Sequence, residues 1–315
     1  MKEIGGYFGL EPLMNRPYYP DLIAVNNARN ALLYIIKARK VRKLFIPYFL
    51  CDSVSNLCLR EQIEFAYYHI DRYFRPVFNG DLAADEYLYI VNFYGQISNE
   101  EAENYKERFG NVIFDNVQAF FQKPVPGIDT VYSCRKFFGV PDGGYVSTDT
   151  YLNVPLPEDV SSERMKHILG RFEGKASDFY ADFKKNDALF KELELRSMSA
   201  LTRNILGAID YESVRKKREE NFEALHQALG AKNALSLIKP IGPYVYPFYC
   251  ENGMEVKKRL AQESIFVATL WPNVLSMEGT LEKKYAENIL PLPCDQRYDL
   301  EDMRRVIQEV EVCIG

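Results

Sequence analysis

Two short stretches hold residues whose types and spacing suit one kind of chemistry. Ser133-Cys134-Arg135-Lys136-Phe137-Phe138 leads into Gly139-Val140-Pro141-Asp142-Gly143-Gly144: a hydroxyl, then a lysine, then a turn ending in paired glycines. Upstream, Val112-Ile113-Phe114-Asp115-Asn116-Val117-Gln118 is an apolar run that closes on a carboxylate. A lysine able to form a Schiff base and a carboxylate able to keep a pyridine nitrogen protonated are what pyridoxal 5'-phosphate (PLP) asks of a protein. On this reading Lys136 carries the cofactor, Asp115 tunes its ring, Gln118 reaches the phenolic oxygen and Ser133 binds the phosphate. Each residue also has a plainer reading, respectively a loop lysine, a helix cap, a surface glutamine and a strand-end turn. The flanking Tyr132, Phe137 and Phe138 predict an apolar setting that favours the neutral, nucleophilic amine. Tyr48 or Phe49, just after Pro47, is placed to stack on the cofactor ring or to fill the core.

The elements that must position these residues are legible from period and punctuation. Leu44–Pro47, Glu64–Tyr68, Tyr87–Phe93, Val112–Asp115, Thr130–Ser133 and Tyr145–Ser147 read as short apolar strands. Helices fall between several of them, one from Asp52 to Arg60 and one opened by the capping box Ser98-Asn99-Glu100-Glu101 and stopped at Gly110 as an αL cap. Continuous apolar strands alternating with helices predict a parallel sheet covered on both faces. Ligands of such sheets sit beyond the strands' carboxyl ends, and Asp115, Ser133 with Lys136, and Asn92 to Gln96 all fall there. Asn26-Asn27-Ala28-Arg29-Asn30 precedes a helical apolar face (Ala31, Leu32, Ile35, Ile36). It is either an ordinary capped start or a phosphate site at the helix's free N–H groups.

Residues 1–25, with Gly5-Gly6 and several prolines and tyrosines, read as a strap laid over the surface or an interface. After a charged, helix-rich stretch from 158 to about 205, a helix from Ser213 to Leu229 opens a second unit. Short strands are expected there at Ser236–Ile238, Tyr244–Tyr249 and Ile265–Leu270. A final helix, capped by Asp299, packs through Leu300, Met303, Val306, Ile307 and Val310. The division is therefore a large α/β domain over 1–210 and a smaller α+β domain over 211–315. Trp271 and Arg297 lie in the second, where Arg297 either grips a substrate carboxylate bidentately or forms a structural ion pair.

Composition excludes several classes. With 47% hydrophobic and 26% charged residues the chain reads as soluble and globular, and a net charge of −5 argues against a nucleic-acid surface. No apolar run approaches the roughly 20 residues of a membrane span, and the start lacks a signal peptide's pattern. The six cysteines show no CxxC pair or metal spacing and read as reduced, mostly buried thiols of a cytoplasmic protein; three isolated histidines make a metal site unlooked for.

Taken together, these residues resemble the PLP-dependent aminotransferases of the DegT/DnrJ/StrS group. Ala28-Arg29-Asn30-Ala31-Leu32 occupies the place of that family's turn before an "AL" helix. Val91-Asn92-Phe93-Tyr94-Gly95-Gln96 looks like its V-H-x-Y-G segment, and Asp115-Asn116-Val117-Gln118-Ala119 like its D-A-A-Q/H-A. Ser133, Lys136 and Gly143-Gly144 match its serine, lysine and paired glycines. The resemblance covers about residues 20–150 and is diffuse beyond 190. Three departures stand out: the serine-to-lysine gap is shorter, Asn92 replaces a histidine, and Arg29-Asn30 replace a Thr-Ser pair.

The resemblance implies the aspartate aminotransferase-like fold (fold type I) and a homodimer with its site at the subunit interface. It assigns Lys136 the Schiff base and proton transfer, and gives Asp115, Gln118, Ser133, Arg29 and Asn30 to the cofactor, with Tyr48 or Phe49 against its ring. Asn92, Tyr94, Trp271 and Arg297 stand on the substrate side. The implied reaction is ping-pong, from an amino acid such as glutamate to a keto sugar, nucleotide-linked by analogy, in surface-polysaccharide or secondary-metabolite synthesis. Alternatives are a PLP lyase or dehydratase, or a non-catalytic relative that kept the fold; a retained lysine disfavours the sugar-dehydratase branch.

Overall fold

The computed structural model describes residues 8–314; the Gly5-Gly6 pair of the strap lies outside them. Ten strands follow in chain order: β1 (Ile23–Val25), β2 (Lys43–Pro47), β3 (Glu64–Ile70), β4 (Pro76–Val77), β5 (Glu86–Val91), β6 (Val112–Asp115), β7 (Asp129–Ser133), β8 (Gly144–Ser147), β9 (Tyr246–Tyr249) and β10 (Ile289–Leu292). The helices are α1 (Ala28–Arg39), α2 (Asp52–Arg60), α3 (Asn99–Phe109), α4 (Lys166–Glu173), α5 (Tyr180–Leu189), α6 (Ala200–Gly207), α7 (Tyr211–Leu229), α8 (Gly253–Gln262), α9 (Leu281–Asn288) and α10 (Leu300–Ile314).

The first eight strands form one sheet in the order β1-β8-β7-β6-β5-β2-β3-β4. Its middle, β3-β2-β5-β6-β7, is parallel throughout. Strands β4, β8 and β1 pair antiparallel at the two edges. The architecture is thus the expected α/β one with a mostly parallel sheet, and β6 and β7 are buried along their whole length because helices cover both faces.

Local chemistry accounts for the boundaries that matter to the site. Ser98 and Glu101 close the capping box at the start of α3. Gly110 ends that helix at φ 71° and ψ −64°, so it is a positive-φ terminator rather than the αL cap expected. Strand β5 stops at Val91, two residues short of expectation, because Asn92 turns the chain and Tyr94 adopts φ 57°. Paired glycines start β8 for a steric reason. Gly143 sits at φ 114°, and a Cβ on Gly144 would lie 2.9 Å from the backbone carbon of Asn27. Only a bare backbone lets β8 press against the N-terminus of α1.

The C-terminal part has its own apolar core, drawn from Phe222 and Leu225 on α7, Phe248 on β9, Leu290 on β10 and Val306 on α10. Asp299 caps α10, its Oδ1 accepting from the Glu301 and Asp302 amides at 2.8 and 3.0 Å. Two expected strands are absent. Ser236–Ile238 is irregular because the Gln96 side chain, not a strand, satisfies the Ile238 amide and carbonyl at 2.8 and 3.1 Å. Ile265–Leu270 is likewise irregular, bounded by Ser264 and Trp271 in left-handed conformations. The partner of β9 is β10, which carries Pro291 and gave no strand signal.

The described part of the strap, residues 8–22, runs irregularly along α6, with the Arg16 amide on the Gly207 carbonyl at 3.0 Å. Tyr18 and Tyr19 then pack on Phe120 and Phe121. Three of the six free cysteines, Cys58, Cys134 and Cys294, are buried, fewer than expected. Among the described residues no helix is long and apolar enough to cross a membrane, and no His/Cys/Asp/Glu cluster could hold a metal ion.

Candidate active site

A cavity of about 550 Å³ opens at the carboxyl ends of the central strands. Its floor is Tyr89 and Val91 of β5, Asp115 of β6 and Ser133 of β7. The N-terminus of α1 forms one wall, and Tyr244, Trp271 and Arg297 close it from the C-terminal part. The strand ends meet here because consecutive parallel strands all point the same way, so residues from successive strands, 18 positions or more apart, are brought into one crevice.

Asp115 is the buried acid of this floor, 3% exposed. Its Oδ2 accepts the Tyr89 phenol at 2.5 Å and its Oδ1 the Val117 amide at 2.8 Å. Burial pushes its pKa above the ordinary carboxylate value, against the opposing pulls of the Tyr89 hydrogen bond, the Lys136 charge and the Val117 amide. A buried carboxyl held by two donors and lacking a contacting cation is suited to a cationic N–H ligand. Gln118 lines the same floor and is fixed by the Tyr94 amide, which donates to its Oε1 at 2.8 Å.

Lys136 faces the cavity, but its setting differs from the one expected. The Phe137 and Phe138 amides both donate to the Cys134 carbonyl at 3.0 and 2.9 Å. This tight turn sends both phenyl rings into the core beside Phe120 and leaves the lysine exposed on the opposite side. The aromatic ring nearest the amine is that of Tyr244, with Nζ 5.6 Å from its centroid. Among the described residues Nζ makes no hydrogen bond or ion pair.

The corner between α1 and β7 is built for an anion. Asn27 caps α1, its Oδ1 accepting from the Asn30 amide at 2.9 Å. Its Nδ2, though buried, has no partner among the described residues, and the residue lines the cavity. Arg29, Ser133 and Arg135 line the same corner. Burial pushes the Arg135 guanidinium down to about 10; Asp187, 3.6 Å away, opposes this while Arg29 adds to it. Positive charge here therefore exceeds its nearest counter-charge.

At the far wall Arg297 grips Asp295 bidentately, at 2.6 and 2.7 Å. Burial alone would raise the Asp295 carboxyl, but Arg297 outweighs it and holds the group below its ordinary value. The Arg297 side chain stays half exposed to the cavity. Trp271 is on the same side, packed on Phe49.

Five expected site residues lie away from the cavity. Asn30 is turned into the protein, where its amide holds the Leu193 and Glu194 carbonyls at 3.2 and 2.7 Å. Tyr48 stacks on Tyr67 with centroids 4.6 Å apart, and Phe49 is fully buried against Trp271. Asn92 bonds Asn116 and Gln122 beneath the floor. Tyr94 contributes its backbone amide to Gln118 while its ring is buried. Conversely, Asn27, Arg135, Tyr89, Tyr244 and Phe266 line the site without having been selected. A buried cap with a spare donor and a guanidinium next to the lysine were visible only as ordinary polar residues in the sequence.

No protein-family model matches the chain, and no curated protein sequence matches it significantly. Solved structures do. A DegT/DnrJ/EryC1/StrS aminotransferase from Brucella abortus superposes with TM-score 0.63 at 16% identity, covering 93% of this chain and 86% of its own. DesV of S. venezuelae, solved in complex with a ketimine intermediate, gives 0.64 at 16% over 93% and 85%. NtdA of Bacillus subtilis, with bound cofactor PMP, gives 0.66 at 15% over 93% and 73%. The chain has the fold of these aminotransferases. Within this fold the cavity described above is the large crevice at the strand ends, and it holds the lysine and the acid together.

Proposed function

We propose that this chain is a PLP-dependent aminotransferase that moves an amino group from an amino acid to a keto sugar. The observation that carries the reading is that Lys136 and the buried, cation-free carboxyl of Asp115 face one cavity whose corner holds a buried amide donor without a partner. That orphaned Asn27 Nδ2, with Arg29, Arg135, Ser133 and the free first-turn amides of α1, fits a phosphate dianion. Asp115 would take the ring nitrogen, Gln118 the phenolic oxygen, and Lys136 the covalent link. When bound, PLP supplies an electron sink for the carbanion formed at the substrate carbon.

The remaining work falls to the chain's own residues. Asp115 keeps the ring nitrogen protonated, in a site where burial makes an ion pair with that nitrogen worth more than in water. The amine of Lys136, unbonded to protein groups, is free to carry a proton to and from the substrate carbon. Arg297, half exposed at the opposite wall, binds a substrate carboxylate by exchanging part of its grip on Asp295. Glutamate is the donor we propose, because its carboxylates suit Arg297, and a nucleotide-linked keto sugar the acceptor; a sugar aminotransferase among the structural neighbours supports the sugar part of this reading.

We also propose a homodimer in the cytoplasm. Exposed Phe8, Leu10 and Met14 on the strap, and separately Phe172 on α4, are apolar side chains that a second copy would cover. The cluster formed by α7, β9, β10 and α10 supports the domain division near residue 210, while Trp271, Tyr285 and Ile289 join the core of the large sheet.

The test is covalent trapping. Purified chain mixed with PLP and then reduced with borohydride is expected to carry one phosphopyridoxyl group, on the peptide containing Lys136, and Lys136→Ala to carry none. Mixing with glutamate is expected to release 2-oxoglutarate. A chain that acquires no phosphopyridoxyl group at Lys136 sinks the reading.

A further inference from the structure

Among the described residues Arg218 of α7 is the largest side chain buried below 2% exposure, at 1%, and no carboxylate touches it. Its donors all go to neutral oxygens: Nε to Gln296 Oε1 at 2.7 Å, Nη1 to the Pro243 and Tyr244 carbonyls at 2.8 and 3.4 Å, and Nη2 to the Phe137 carbonyl at 3.2 Å. The guanidinium also lies 4.6 Å from the centroid of the Phe137 ring. Gln296 in turn donates from Nε2 to the same Phe137 carbonyl at 2.7 Å. Burying a guanidinium with no carboxylate in contact is unfavourable, and burial indeed lowers its pKa against the opposing pull of the nearby Asp295 charge. An apolar side chain would fill the volume more cheaply, so the arrangement calls for a role beyond packing.

The identity of the acceptors supplies that role. Phe137 directly follows Lys136. Tyr244 carries the ring nearest the Lys136 amine. Gln296 stands between Asp295 and Arg297, the ion pair on the opposite cavity wall. One planar fork thereby joins three separate segments of the cavity lining, and the Phe137 carbonyl receives two donors from the C-terminal part. Lys136 itself has a long, flexible side chain with no bond to protein groups, so restraint on its position must come through its backbone.

We propose that Arg218, with Gln296, is a positioning clamp: it fixes the turn that carries Lys136 and ties it to the wall that carries Arg297. The role rests on Lys136 being the PLP-bearing residue. A lysine in place of Arg218 keeps the charge but has a single donor head and cannot span the three segments. Gln296→Leu keeps the arginine but removes both the second donor to Phe137 and the acceptor of Arg218 Nε, and it serves where a change at the buried arginine prevents folding.

The experiment uses the full-length chain in two measurements. Amide hydrogen exchange of the peptide spanning 134–139, in PLP-free protein, reads the order of the turn without reference to catalysis. The rate at which PLP becomes borohydride-trappable on Lys136 reads the placement of the amine. Arg218→Lys and Gln296→Leu are expected to speed exchange in that peptide about tenfold and to slow attachment about tenfold. Exchange in β5 and β6 should stay unchanged. Attachment within twofold of the wild-type rate in both variants overturns the clamp, whether or not exchange moves, because the arginine is then structural only. A wild-type chain that never attaches PLP at Lys136, by contrast, overturns the functional reading itself and removes the role assigned to the clamp.

Discussion

Asp115 sits where its charge is hardest to keep, and the two uses of that carboxyl pull against each other. Because burial raises its pKa above 3.8, the folded chain holds this proton to higher pH than the unfolded chain does. Between the two values the native state binds more protons, so this group makes stability fall as pH rises through that window. Asp115→Asn removes the effect. The cofactor-free variant is expected to melt as high as the parent or a few degrees higher at pH 7–8, as scanning calorimetry would record. Its affinity for PLP is expected to fall about 100-fold, in line with a charge-assisted hydrogen bond worth about 1.5–3 kcal/mol, measured by titrating the visible absorbance. A variant that both destabilises the free chain and binds PLP normally would contradict the assignment. Lys136 and Arg135 illustrate a second point at this scale. Adjacent in sequence, they reach different parts of one cavity, the amine towards Tyr244 and the guanidinium towards Phe190. A tight turn separates them by function.

At the level of elements, the contact between β8 and α1 decides the shape of the phosphate corner. The Gly143 amide donates to the Asn26 carbonyl at 2.7 Å, and Gly144 lies flat against Asn27. Gly144→Ala would push a methyl within 2.9 Å of backbone on both sides, at Asn27 and at Tyr132. Neither neighbour is a flexible side chain, so the strand or the helix start must move. The expected loss is about 1–3 kcal/mol of stability, read from urea unfolding, together with a weaker hold on inorganic phosphate at the corner. An alanine variant of parental stability and phosphate affinity would show that the corner does not depend on this approach. The same reasoning explains which helices and strands could be read directly. The α3 capping box and the Asp299 cap of α10 rest on bonds within three residues of each other, so local chemistry suffices. Ile265–Leu270 and Ser236–Ile238 look like strands in the sequence and are not, because an apolar run shows only a tendency to burial. A side chain 142 residues away, Gln96, satisfies the Ile238 backbone.

For the whole molecule, ligand binding and folding are linked. PLP held by the native chain and not by the unfolded one stabilises it by about 2.7 kcal/mol at a concentration 100 times the dissociation constant. For a chain of this size that corresponds to a rise in melting temperature of about 5 °C. Differential scanning fluorimetry should show this shift with PLP and a much smaller one with pyridoxal, which lacks the phosphate that Asn27, Arg29 and Arg135 would hold. Equal shifts for the two compounds would remove the corner from the binding account.

The amino-acid order alone determined the alternation of apolar strands and helices, and hence a mostly parallel sheet with its useful residues at the carboxyl ends. It also marked Asp115 and Ser133, which close apolar runs, and Gln118 and Lys136, which stand three residues beyond them. Which polar side chains near those ends face inward was decided by packing. Asn30, Asn92, Tyr48 and Phe49 carry suitable groups but are claimed by neighbouring backbone and rings, whereas Asn27 keeps a donor free and Arg218 reaches the Phe137 carbonyl from 81 positions away. Local sequence fixes the type of an element through short-range bonds. The direction of a side chain depends on partners brought together only when the sheet and the C-terminal core close on each other.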